Sequence, residues 1–332
     1  MIKTELNNYL LKEGIIPLDM SKISSNELYM YNHFVRLCEN HVAAANTPSI
    51  LTQPNRRKFQ FIYVEDDDLN AFAVPYKDID VIGLNTGTIR IINSYLTKTV
   101  NCGIFPWVNT IQGRNILAEL LLNMAIEFII LHELGHHFNG HLLAENLLSF
   151  RYMKVPYEVE LESRAIEMDA DAYATTRSFS KYLEQDIETK MPTIARNKLD
   201  MLRYWVFATH SFFFLFESTI LDYSTMKLDT YYPRIIRQAL NIDISTRIVK
   251  IKASELLSEY EEVLNESFDL AESIFKSICK DGTNVRMEEI KSITDYRVIK
   301  YMEEVDSYYQ HILLPKLKPY ARHKLYDKTD FI

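Results

Sequence analysis

Fourteen residues, Phe128-Ile129-Ile130-Leu131-His132-Glu133-Leu134-Gly135-His136-His137-Phe138-Asn139-Gly140-His141, carry a His-Glu-x-x-His pattern inside a helical period. Apolar residues precede it at matching spacing (Leu120, Leu121, Met124 and Phe128), which predicts a central helix. Residues four apart lie on one helical face, so His132 and His136 offer their imidazoles to one metal ion. Glu133 sits one residue along, where its carboxylate reaches a water on that metal without ligating it. A buried pair of histidines beside a glutamate is unfavourable unless metal or hydrogen bonds satisfy it.

Two histidines leave a catalytic zinc one protein ligand short, and a second helix is expected to supply it. Downstream stands Glu167-Met168-Asp169-Ala170-Asp171-Ala172, again at helical period. Glu167 and Asp171 are four apart and share a face. Glu167 completes a His₂Glu set, and Asp171 accepts the second N–H of a ligating histidine, fixing its tautomer. Small apolar neighbours (Ala165, Ile166, Ala170, Ala172 and Ala174) set this stretch apart from the solvated acidic face at Glu158, Glu160 and Glu162.

The remaining histidines are read as less direct. His137 points away from the metal face. His141 follows His132 by nine residues, about two and a half turns, so a continuous helix aims it away from the metal. It returns only if Asn139-Gly140 ends the helix, and then supports a ligand or the fold rather than ligating. His210 lies in an apolar helix and reads as a core histidine, with lining of the site as the alternative. Phe212-Phe213-Phe214 reads as core.

Glu-x-x-Ala-Asp after His-Glu-x-x-His, with His141 beyond it, resembles the gluzincin metallopeptidases, above all the family typified by HtpX and the CAAX prenyl endopeptidase. Asn70-Ala71-Phe72-Ala73 followed by Gly87 is similar to that family's Asn-Ala-Phe strand and the glycine before its next helix. Thr230-Tyr231-Tyr232-Pro233 with Arg237 resembles its His-Pro segment and following arginine. The resemblance spans about residues 58–240. The chain departs from it in lacking the membrane helices and in placing Tyr232 where the family has histidine before proline. The soluble phage-exclusion peptidase Lit is a second resemblance, in size, solubility and zinc helix. By the first resemblance, Tyr232 is the expected donor to the oxyanion, with Tyr231 and His210 as alternatives and simple packing at a helix start as the competing reading. The strand Asn70, Ala71, Phe72 onward is expected to hold an extended substrate by strand addition.

Composition narrows the rest. The 332 residues are 47% hydrophobic and 25% charged, which excludes a disordered chain. Eight glycines and ten prolines supply too little turn chemistry for a many-stranded β-fold. Acidic residues exceed basic ones, 45 to 37, and no basic block occurs, so no nucleic-acid partner is expected. Cys38, Cys102 and Cys279 show no paired spacing and read as free thiols in a reducing compartment, with no apolar signal core at the N-terminus; a cytoplasmic protein is expected. The apolar runs at 116–131 and 204–216 fall short of the roughly 20 residues of a spanning helix, so both read as buried helices and no membrane span is expected.

The predicted fold is α+β and mostly helical: a zinc-peptidase core at residues 1–245, with a small sheet of three or four strands, and a C-terminal helical region at 246–332. β-type runs are read at 58–64, 70–74, 80–85 and 88–91, and helices near 20–46, 115–148, 156–178, 193–222, 232–241, 252–279 and 287–312, with a soft boundary near 242–252. The expected function is zinc-dependent hydrolysis of a protein or peptide substrate. Zn²⁺ on His132, His136 and Glu167 lowers the pKa of its water toward ~7, and Glu133 moves the proton to the leaving amine. Three alternatives stay open: a Lit-like peptidase specific for one host protein in phage defense, a broad quality-control endopeptidase, and a catalytically silent binding module that keeps the fold. Glu133 speaks against the last, because a scaffold has no use for the base.

Overall fold

A computed structural model describes residues 2–45, 57–144, 157–216, 234–278 and 295–325. Two helices lead, α1 (Ile2–Lys12) and α2 (Ser25–Ala45). At the start of α2, Ser24 and Glu27 form a reciprocal cap, with the Glu27 amide donating to the Ser24 hydroxyl and that hydroxyl donating to the Glu27 carboxylate. Three strands follow: β1 (Lys58–Val64), β2 (Ala71–Tyr76) and β3 (Ile79–Asn85). Their order is β1-β3-β2, with β3 parallel to β1 and antiparallel to β2. All seven residues of β3 are buried, as a central strand requires, and among the described residues β2 is left as an edge. The tight β2–β3 turn places Lys77 at φ 52°, in the left-handed region.

The run Thr88-Ile89-Arg90-Ile91, read as β-type, is helical instead: α3 covers Thr86–Asn101. Its β-branched residues favour a strand locally, but Ile89, Ile92 and Leu96 recur at helical spacing and all enter the core. Gly87 makes the entry possible. A Cβ there would lie 2.0 Å from the Asp67 carbonyl oxygen, and its amide donates to Asp66 O at 2.8 Å.

The helix carrying His-Glu-x-x-His is α4 (Ile111–Phe138), capped by the Thr110 hydroxyl accepting from the Gly113 amide. Predicted to continue to 148, it stops ten residues earlier. Gly140 turns the chain at φ +86°, and its bare α-carbon lies against the C-terminal segment, where a Cβ would come 2.7 Å from Ala321 N. The Arg322 amide then donates to the Phe138 carbonyl at 2.8 Å. α4 packs against α3, α5 (Tyr157–Glu184) and α6 (Lys198–Phe216), and touches β2 and β3. Among the described residues α4 alone is long and apolar enough to cross a membrane, but most of that stretch is buried in the core. Glu127, near the middle of α4, is also buried; His41 (2.7 Å), Lys181 (2.7 Å) and Tyr182 (2.9 Å) satisfy it.

Beyond α6, helix α7 (Arg234–Lys252) runs without a break through the soft boundary and through the 245/246 division. Asn241 and Ser245 are buried in it and bond within it, Asn241 Nδ2 to Arg237 O and Ser245 Oγ to Asn241 O, so their polarity does not end the helix. α8 (Leu257–Ile278) lays Tyr260, Val263, Leu264 and Phe268 inward and packs on α6, as its amphipathic stripe implies. α9 (Tyr296–Tyr308) packs on α5, and a wide turn, Tyr309–Leu313, continues it.

Asp80 on β3 ties the sheet to two distant parts of the chain. It accepts from Arg57 Nε at 2.7 Å, pairs with Arg322, and faces His137 Nδ1 at 3.4 Å. His137 Nε2 meets the Val81 carbonyl at 3.0 Å, which accounts for its pointing away from the metal face. Burial alone would raise the Asp80 carboxyl; the His137 hydrogen bond and the charges of Arg322 and Arg57 overcome it and hold the group at about 2. A depressed carboxylate stabilises the fold above its unfolded value, near 3.9, and that contribution vanishes as pH falls toward about 2. Asp80→Asn is therefore expected to lower the unfolding free energy at pH 7 by about 2–3 kcal/mol. In paired urea titrations at pH 7 and pH 3 the gap to wild type should narrow at the lower pH; an equal gap at both would show that the carboxylate charge is not what stabilises.

Candidate metal centre

The site forms where α4 and α5 come close. Gly135 faces Ala170, and a Cβ on Gly135 would lie 3.2 Å from the Ala170 α-carbon. Two small residues at this crossing let the backbones approach, and Glu167 then stands opposite the two histidines. One donor atom from each of His132, His136 and Glu167 lies within 4.8 Å of the other two. Nε2 of His132 is 3.2 Å from Nε2 of His136 and 3.3 Å from Glu167 Oε2, while His136 Nε2 is 3.7 Å from Glu167 Oε1.

The outer nitrogen of each imidazole is held. His132 Nδ1 lies 2.8 Å from Asp171 Oδ1. Asp171 is fully buried and takes a two-pronged contact from Arg237 of α7, at 2.7 and 2.8 Å. His136 Nδ1 lies 3.1 Å from His141 Nδ1, and His141 Nε2 lies 3.0 Å from Asp169 Oδ2. The early end of α4 is what brings His141 back, as the Asn139-Gly140 reading required.

Electrostatics match this arrangement. Burial would lower the His132 pKa, but the hydrogen bonds its ring donates to Asp171 and Glu167 raise it to about 10. Burial would raise Glu167, yet the same His132 contact and the neighbouring charges hold it well below the carboxylate range. Burial keeps His136 well below the usual histidine value, with Glu167 opposing. Burial also pushes Glu133 up to about 7, with the His132 charge opposing. Three carboxylates, the buried Glu133 and Asp171 and the half-buried Glu167, thus face one guanidinium, Arg237. The residues fit a zinc ion: two imidazole nitrogens and one carboxylate converge, their outer atoms are anchored, and the local charge is negative.

A cavity of ≈ 290 Å³ opens onto these groups. Glu133 lines it with the three candidate ligands, and so do Asn70, Ala71 and Phe72 at the edge of the sheet. Thr88 pins that edge, its hydroxyl bonding both the amide and the carbonyl of Asn70 at 2.8 Å. The Phe72 ring covers Gly83, where any Cβ would meet it at 2.1 Å. Phe128, Phe212 and Phe216 give the cavity an aromatic wall.

Tyr232, the expected oxyanion donor, lies outside the described residues, as do Tyr231 and Pro233. His210 is buried on α6 with its ring centroid 4.0 Å from that of Phe268, and it does not line the cavity. Burial, with the Arg234 charge adding, lowers it to about 3, so it is a neutral core histidine. Two residues at the site had no assigned role. Arg237 stands out in the sequence only through the resemblance, four residues past Pro233. Asp169 is two residues from both Glu167 and Asp171, and a two-residue step turns a side chain by about 200° around a helix, so spacing pointed it elsewhere.

Residues 40–187 match the model of peptidase family M48, consistent with a gluzincin of the HtpX and CAAX prenyl endopeptidase type. The matched segment holds the sheet, His132, Glu133, His136, Glu167 and Asp171, and ends before α6. The family match supports a metallopeptidase, a hydrolase, with a protein substrate in general terms. No curated protein and no solved structure matches the chain.

Purified protein supplied with zinc is expected to hold one ion per chain. Alanine at His132, His136 or Glu167 should abolish stoichiometric binding, and Asp171→Ala should weaken it by roughly 10–100-fold. Elemental analysis and chelator competition read both effects; wild type that takes up no transition metal would remove the site.

Proposed function

We propose that the chain is a zinc-dependent metalloendopeptidase whose catalytic centre is His132, Glu133, His136 and Glu167. The observation that carries this reading is the convergence of both Nε2 atoms and the Glu167 carboxylate beside Glu133, with each Nδ1 anchored from behind. Zn²⁺ bound there supplies a Lewis acid that lowers the pKa of a water toward neutrality and polarises a carbonyl.

The protein's own groups account for the rest. Glu133 accepts the proton of the attacking water at its carboxylate and returns it to the leaving amine, a role suited to a carboxyl that burial lifts to about 7. The open edge of β2 offers backbone N–H and C=O groups to an extended peptide, and Asn70, Ala71 and Phe72 border the cavity where its scissile bond would lie. The aromatic wall gives the reacting groups an apolar surround. Cys38 and Cys102 are unpaired thiols, which suits action in a reducing compartment such as the cytoplasm.

Glu133→Gln separates this reading from a silent binding module. The variant is expected to keep zinc and melting temperature while hydrolysis of a peptide library falls by about 10²–10⁴. Equal cleavage by variant and wild type would overturn the mechanism, and no cleavage by either would favour the binding module. New N-termini counted across a whole proteome then distinguish a broad endopeptidase from one that cuts a single protein.

For the oxyanion, Tyr232→Phe removes one hydroxyl at nearly constant volume. A loss of roughly 10²–10³ in kcat with zinc retained is expected if Tyr232 donates; wild-type turnover would make it a packing residue.

A further inference from the structure

We propose that His141 and Asp169 act as positioning residues that fix which nitrogen of His136 carries its proton, and that Tyr309 ties the C-terminal segment into this relay. The proposal rests on the metal reading above and goes beyond the anchoring contact that reading gives His141, to the tautomer it imposes and to two residues, Asp169 and Tyr309, with no task in that reading.

The contacts run in one line. His136 Nδ1 meets His141 Nδ1 at 3.1 Å, and His141 Nε2 meets Asp169 Oδ2 at 3.0 Å. Asp169 is anchored on two further sides, by Asn139 Nδ2 at 2.7 Å and by the Tyr309 hydroxyl at 2.6 Å. A hydrogen bond between two imidazole nitrogens needs one proton, and the two neutral arrangements put opposite tautomers on His136. The carboxylate breaks that symmetry. It can only accept, so His141 must carry its proton on Nε2. His141 Nδ1 is then a lone pair and must accept from His136 Nδ1–H. That leaves the lone pair of His136 on Nε2, which points at His132 and Glu167. The reverse arrangement would set a lone pair against the carboxylate and a proton in the metal position.

His132 reaches the same state by a shorter route, since Asp171 touches its Nδ1 directly. Helix α5 thus orients both histidines, one through Asp171 and one through Asp169 and an intervening imidazole. The second route also draws on the C-terminal segment. Tyr309 opens the wide turn after α9, and the segment that follows returns to cover Gly140 and to bond the Phe138 carbonyl through the Arg322 amide. The C-terminal segment is therefore part of the metal centre's support and not only a cover for its core.

Three variants test this. His141→Leu removes the acceptor at similar bulk, His141→Gln restores one in its side-chain carbonyl, and Tyr309→Phe removes a single hydroxyl. Zinc affinity, measured by chelator competition, should fall by about 10–100-fold in His141→Leu, recover most of the loss in His141→Gln, and fall a few-fold in Tyr309→Phe. Nitrogen-edited NMR of the zinc-loaded protein should show a His136 Nδ1–H protected from solvent exchange in wild type and lost in His141→Leu. Wild type that binds no zinc overturns the metal reading itself. Wild type that binds zinc, beside a His141→Leu protein with equal affinity and the same protected proton, overturns the relay alone. Should His141→Leu fail to fold by circular dichroism, Asp169→Asn takes its place, and unchanged zinc affinity in Asp169→Asn and Tyr309→Phe together overturns the relay.

Discussion

The close crossing of α4 and α5 at Gly135 and Ala170 is the constraint on which the site depends. Ligands on two helices can converge on one ion only if the backbones approach to within a side-chain length, and a Cβ on Gly135 already presses on the Ala170 α-carbon. The candidate site residues that the two helices supply sit within a turn or two of that contact: His132, Glu133 and His136 on one helix, Glu167, Asp169 and Asp171 on the other. Larger residues at either position would part the helices and separate Glu167 from the histidines without touching a ligand.

A crossing this polar inside so apolar a core has to satisfy its own charges. The same device recurs along α4. Glu127, two turns before the histidines, takes His41, Lys181 and Tyr182. His137 on the opposite face takes Val81 and Asp80, and Asp80 gathers Arg57 and Arg322. Each network binds α4 to a different neighbour, so the helix is held on all sides by bonds whose loss would strand a buried charge. Such anchoring holds the geometry of the candidate site fixed.

The sheet serves the same centre from the other side. Its central strand meets α4 through His137, and its edge strand borders the cavity. Two glycines set the spacing: Gly83 lets the Phe72 ring lie flat on the sheet, and Gly87 lets α3 start against the Asp67 backbone. Thr88, the next residue of α3, then pins Asn70. The edge that a peptide would join is therefore held at a defined distance from Glu133.

The sequence by itself determined the parts of this protein that follow a fixed period. Four-residue spacing on a helix placed His132 with His136 and Glu167 with Asp171, and neither placement needs knowledge of the rest of the fold. Apolar period likewise marked α4, α6 and α8 as core helices. Tertiary structure decided what depends on contacts between distant segments. It made Thr88–Ile91 a helix, because packing of Ile89, Ile92 and Leu96 outweighs a local β preference. It carried α7 through residues 242–252, because buried Asn241 and Ser245 bond within the helix itself. It ended α4 at Phe138, because Gly140 must pass beneath a segment 180 residues further along. The roles of Asp169, Arg237 and Tyr309 arise the same way: a side chain becomes a partner of the metal site only when another helix delivers its counterpart, and no spacing along a single helix records where that counterpart comes from.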